Sequence, residues 1–137
     1  MTERSESPNP ATAPDEAATR EAIVQDYLAA LNEHQLEKCL AFYADDGTIE
    51  FQSGIFKGPA AIADWHRERF AAGFQVLDVD RVTVTDDTVV VEAAIASARL
   101  RSWKINRLSG KATVVFDGHR IKEVRLAPKM YNPFEGW

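Results

Sequence analysis

Few residues of this 137-residue chain have a type and spacing that could do chemistry. The three histidines, His34, His66 and His119, fall on a helix corner, a helix and a hairpin. None has a paired Cys or His nearby in sequence, so no metal site is expected. The single cysteine, Cys39, lies on an apolar helical stripe and reads as a packing thiol rather than a nucleophile. No GxGxxG, GxxxxGKS/T or GxSxG motif occurs, which removes phosphate cradles and nucleophile elbows. Glu50 sits between Ile49 and Phe51 in an alternating stretch, so it belongs to the opposite face from Phe51. A one-residue slip would be needed to bring it inward. Asp45 and Asp46 read as turn residues leading into Gly47. Tyr27, Tyr43 and His66 each lie among apolar residues at helical spacing, which by itself marks them as buried polar groups. Desolvated, such groups either hold a ligand's oxygen by hydrogen bonds or satisfy one another in the core.

The elements that must position them follow from the hydrophobic period. Ile23, Tyr27, Leu28 and Leu31 recur at helical spacing, as do Leu36, Cys39, Leu40 and Tyr43, with a corner at Asn32–His34. Thr19 is the expected cap of the first helix, and the second is expected over about 34–44. A strand follows over about 47–52. Gly58 and Pro59 then open a third helix, with Ile62, Trp65, His66 and Phe70 on one side and Asp64, Arg67 and Glu68 on the other, stopped at Gly73. From Phe74 the pattern is β. FQVLDVDRVTVT carries a phase change near Asp80-Arg81 that predicts a bulge. Asp86-Asp87 turns into TVVVEAAIASARL, read as one long strand, and RSWKIN is read as irregular. RLSGKATVVF passes through the hairpin signal Asp117-Gly118 into HRIKEVRLAP. KMYNPFEGW is expected to fold back over an end of the sheet.

Composition bounds the class. The chain is long enough for one domain with its own core, expected over 19–137, behind a Pro-, Ser- and Glu-rich tail at 1–18 with little to bury. No run of roughly 18 apolar residues predicts a membrane span, and no basic-then-apolar start predicts secretion. With one cysteine, a cytoplasmic protein is expected. Residues 1–98 carry 7 basic and 18 acidic side chains, whereas residues 99–137 carry 9 basic and 3 acidic. On strands this basic spacing predicts a solvated outer face or one half of a dimer surface, not nucleic-acid binding.

With these residues on the page, the chain resembles the nuclear transport factor 2-like superfamily. AIVQDYLAALNEHQLEKCLAFYADDGTIEF and GIFKGPAAIADWH carry the likeness, which covers about residues 20–127. Within that group it is most similar to bacterial Δ5-3-ketosteroid isomerases and SnoaL-like polyketide cyclases. The resemblance implies an α+β fold in which three N-terminal helices and a cone-shaped, curved antiparallel sheet enclose a pocket. It also implies a homodimer and no cofactor. Tyr27 matches the isomerases' oxyanion-stabilising tyrosine, and Tyr43 and His66 match positions that support it. The general base falls on Phe51 and the second, protonated aspartate on Ala112. Phe51, Phe56, Trp65, Trp103, Val114 and Phe116 are the expected pocket lining. The expected function is binding of a small hydrophobic, carbonyl-bearing molecule in a cavity of roughly 300 Å³ or more. Isomerase-, lyase- or cyclase-type chemistry would follow from the Tyr27 donor; the alternative is a non-catalytic dimeric accessory or partner-binding module. A dehydratase or epoxide hydrolase would need inward carboxylates or a His pair, and neither is placed by the pattern.

Overall fold

The structure, a computed structural model, describes residues 14–52 and 54–128. The C-terminal KMYNPFEGW and most of the expected N-terminal tail lie outside the described residues. Helix α1 (Pro14–Asn32) begins upstream of the expected cap Thr19. Ala17 and Ala18 are strong helix formers, and Glu16 lies 3.9 Å from Arg20 one turn on, so the helix continues through residues first assigned to the tail. Helix α2 (Leu36–Ala41) is short. Strand β1 (Tyr43–Phe51) pairs with a hairpin strand that the periodicity did not show, β2 (Gly54–Lys57). Helix α3 (Pro59–Ala71) starts after Gly58 and stops before Gly73, whose φ of 69° suits glycine.

Strands β3 (Gln75–Thr85) and β4 (Thr88–Ala96) form a hairpin about Asp86-Asp87. The long strand expected through Leu100 ends at Ala96. Ser97 Oγ accepts the Leu100 N–H at 3.2 Å and caps a short helix, α4 (Ala98–Ser102). Strands β5 (Leu108–Asp117) and β6 (Arg120–Pro128) complete the chain.

The six strands lie in the order β2-β1-β6-β5-β4-β3, an unclosed, curved sheet with the helices against its inner face. The sheet is mixed rather than antiparallel throughout, because β1 and β6 run parallel. The β2 hairpin and α3 carry the chain away from β1, so its free edge is taken last by β6, arriving in the same direction. The anticipated bulge in β3 is present as two register shifts, between Val76 and Asp78 and between Val79 and Arg81. Such irregularities sharpen local twist and help the sheet curve around the helices.

Tyr43 opens β1 instead of ending α2. The helix closes on Phe42, whose carbonyl accepts the Ile121 N–H at 2.8 Å, and Tyr43 pairs with Ile121. The α1–α2 corner is pinned as well. Asn32 Oδ1 accepts the Val76 N–H at 2.7 Å while its Nδ2 donates to the Val76 carbonyl at 3.0 Å. His34, at φ 55°, stacks on Phe70 with 4.7 Å between centroids. Ile49, Ile62 and Ile121, all fully buried, join helices to sheet at about 1.5–3 kcal/mol each. Lys122 and Arg125 are exposed on β6, in line with a solvated outer face. Among the described residues no helix is long and apolar enough to cross a membrane.

Gly47 lies within the register shift of β1 between Tyr43 and Thr48, where the backbone is closely packed. A Cβ there would meet the Ala44 carbonyl oxygen at 3.0 Å, the Tyr43 ring at 3.2 Å and the Ile121 carbonyl oxygen at 3.3 Å. Gly47→Ala should therefore destabilise the fold by about 1–3 kcal/mol through overpacking, read as a lower urea midpoint.

Candidate functional site

Three elements bring the sequence-predicted polar residues together: Tyr27 from α1, Tyr43 from β1 and His66 from α3. All three are buried, and His66 is the one buried polar or charged residue among those described besides the two phenols. His66 Nδ1 lies 2.8 Å from the Ile62 carbonyl oxygen, one turn back on α3. A carbonyl only accepts, so Nδ1 carries the proton and Nε2 of the neutral ring is an acceptor. The Tyr27 O–H donates to that Nε2 at 2.8 Å. With its one proton used, Tyr27 oxygen accepts the Tyr43 O–H at 2.6 Å. The result is a directional relay, Tyr43 to Tyr27 to His66 to the backbone of α3, in which every donor has a partner.

The electrostatics follow from burial. Desolvation, and secondarily the Tyr43 phenol beside it, raises the Tyr27 pKa well above that of a free phenol. Desolvation also raises Tyr43, against the lowering effect of its bond to Tyr27. Desolvation lowers His66, outweighing the opposite effect of the Ile62 bond, so the imidazole stays neutral near pH 7. Among the described residues no carboxylate shares this interior. Glu50 is exposed on the outer face while Ile49 and Phe51 point inward, and Ala112 packs against the core. Cys39 is buried and its thiol is pushed up to about 12 by desolvation, which makes it a packing group.

The predicted lining residues separate into three places. Phe51 and Phe56 line an open groove of about 310 Å³ at the end of the cone. Gln52 and Gly54 of the same hairpin, Glu68 and Arg69 of α3, and Arg99 of α4 complete it. Trp65 stands behind Phe51, edge to face at 5.8 Å between centroids, and also packs against His66 at 5.0 Å. Val114 and Phe116 are core residues, each 3% exposed. Trp103 caps α4 and is 61% exposed; it does not line the groove. The relay and the groove are thus separated by an aromatic wall of Phe51 and Trp65.

Five groove residues, Gln52, Gly54, Glu68, Arg69 and Arg99, escaped the sequence reading, the two arginines most consequentially. Arg69 lies one turn beyond Trp65, so helical spacing alone would have put it on the flank of the buried face. Arg99 had no such signal, because it depends on a helix where the pattern suggested strand. Among the described residues, no group of three His, Cys, Asp or Glu side chains gathers that could hold a metal ion.

A helix-backed, curved mixed sheet of this kind is shared by a large class of small-molecule enzymes and binders. The chain belongs to the SnoaL-like domain family, whose profile matches residues 24–124. No curated protein matches it significantly in sequence. Among solved structures it is similar to the epoxide hydrolase/cyclase-like enzyme SalBIII, of pyran-ring formation in salinomycin. That match has a TM-score of 0.73 at 18% identity, covering 82% of this chain and 92% of that one. A candidate ketosteroid isomerase from Kribbella flavida matches with a TM-score of 0.72 at 19% identity, over 88% of this chain and 86% of that one. A candidate polyketide cyclase from Sinorhizobium meliloti matches with a TM-score of 0.69 at 20% identity, over 77% and 94%. At such identities the likeness fixes the fold alone.

Because His66 titrates lower in the folded chain than in the unfolded one, the unfolded state binds the extra proton first as pH falls. Stability should accordingly drop below the free imidazole value of about 6.5. The slope contributed is at most one proton, about 1.4 kcal/mol per pH unit. Urea unfolding between about pH 7.5 and 5 should show this contribution in the native chain and lack it in His66→Gln.

Proposed function

We propose that the protein binds a small, flat hydrophobic molecule bearing an oxygen acceptor. The molecule enters by the groove over Phe51 and Phe56, and its oxygen is received at the Phe51–Trp65 wall, with the buried relay behind it. The observation that carries this reading is the Trp65 indole. Trp65 is 3% exposed and its Nε1–H has no hydrogen-bond partner among the described residues, yet its ring stands between the groove floor and His66. A buried N–H left unpaired costs about 1–3 kcal/mol, and a ligand oxygen received at this wall would remove that cost. The aromatic composition of the wall suits a planar apolar body.

A reaction on this ligand would require the Trp65 ring to give way and Tyr27 to turn its O–H from His66 Nε2 to the ligand's carbonyl or enolate oxygen. Tyr43 supports that phenol, and the neutral His66 Nε2 is the site able to hold a proton. This is isomerase-, lyase- or cyclase-type chemistry and calls on no cofactor. Ketosteroid isomerisation itself is not part of the proposal, since Phe51 and Ala112 stand where that reaction's carboxylates fall in the resemblance. The reading also places the protein in the reducing cytoplasm that its single buried cysteine suits, as a homodimer joined through the outer sheet face. A second reading is favoured by the closed relay, which is satisfied with no ligand present: a non-catalytic dimeric accessory or partner-binding module.

A thermal-shift screen with steroids and aromatic polyketides separates the two. At about a hundred times Kd a true ligand stabilises the fold by about 2.7 kcal/mol, a Tm rise of roughly 10 °C. Tyr27→Phe leaves Tyr43 without an acceptor and His66 without a donor, so it should lower stability by about 1–3 kcal/mol and still fold. In that variant the ligand-induced rise and any turnover should be lost. No rise across the panel, together with a dimer in sedimentation, would transfer the case to the accessory module.

A further inference from the structure

The groove holds charge as well as aromatic surface, and its charges are unbalanced. The Arg69 guanidinium lies 4.8 Å from the Phe51 ring centroid and 5.4 Å from that of Trp65. Only a fifth of its side chain is exposed. A guanidinium laid on aromatic rings keeps its N–H groups in its own plane, directed away from the ring faces. The nearest carboxylate, Glu68, stands at 3.6 Å, beyond hydrogen-bond reach, and is itself two-thirds exposed. Arg99 lines the same groove from α4, close enough to repel Arg69. Among the described residues two like charges face one carboxylate, Glu68, over an aromatic floor.

We infer that this groove recognises the carboxylate end of a flat hydrophobic acid. Arg69 and Arg99 grip the carboxylate, and Phe51 and Phe56 hold the apolar body. The inference rests on the small-molecule reading above and sharpens it from a hydrophobic molecule to a hydrophobic anion. Bidentate geometry matches arginine forks to carboxylate oxygens, and an anion between the two arginines relieves their mutual repulsion. Glu68 then acts against binding, as a rim carboxylate that the ligand displaces from Arg69. Arg99 is exposed on α4, so removing its charge leaves the fold intact.

Isothermal titration of the full chain with 2-naphthoate, its methyl ester and 2-naphthyl phosphate tests this. The acid should bind at least about tenfold tighter than the ester, and added salt should weaken only the acid. Arg99→Gln should erase most of that preference, the acid losing far more affinity than the ester. Glu68→Gln should tighten the acid by about threefold, a gain that no loss of folding could imitate. Equal binding of acid and ester would overturn the anion site and leave the hydrophobic-binding reading standing. Binding of neither compound would overturn both. A phosphate ester bound more tightly than the acid would overturn the carboxylate assignment.

Discussion

The interior of this protein is governed by one hydrogen bond, from His66 Nδ1–H to the Ile62 carbonyl. It fixes the imidazole tautomer, and the tautomer fixes everything upstream of it. Nε2 must accept, so Tyr27 must donate to it and Tyr43 must donate to Tyr27. Three elements distant in sequence are thereby tied at one point with no donor left over. Burial reinforces the arrangement, since desolvation disfavours both the imidazolium and the phenolates that would break it.

That closure bears directly on chemistry. In the resemblance to isomerases the general base falls on Phe51, and strand alternation here puts Phe51 inward and Glu50 outward. The cone is filled from Phe51 through Trp65 to His66 by rings in edge-to-face contact. What the described residues offer a ligand there is therefore an aromatic wall with the Trp65 N–H in it. Membership in the SnoaL-like family supplies the scaffold, and the scaffold alone carries no reaction. The open groove outside the wall, with Arg69 on aromatic rings and Arg99 on its rim, is where this chain's own residues speak most specifically.

Much of the fold was legible because its signals are local. Gly58-Pro59, Gly73, the Asp86-Asp87 and Asp117-Gly118 turns and the phase slip in β3 each announce themselves within a few residues. The misses share a cause. Tyr43 fits a helical period and a strand start equally well, and its pairing with Ile121, far along the chain, decided for the strand. SARL fits a strand by composition, and the cap from Ser97 turned it into a helix. The sheet's one parallel pair depends on which edge the last strand finds.

By itself the sequence determined the α+β class, the helix and hairpin boundaries set by glycine and proline, and the outward face of Glu50. It also carried the grouping of Tyr27, Tyr43 and His66, though only through resemblance. Tertiary structure alone decided that the relay is closed, that Trp65 keeps an unpaired N–H, and that Arg69 and Arg99 share a groove. The physical reason is range. Periodicity and turn chemistry act over a few residues, whereas hydrogen-bond direction, burial and charge proximity exist only once distant segments have packed.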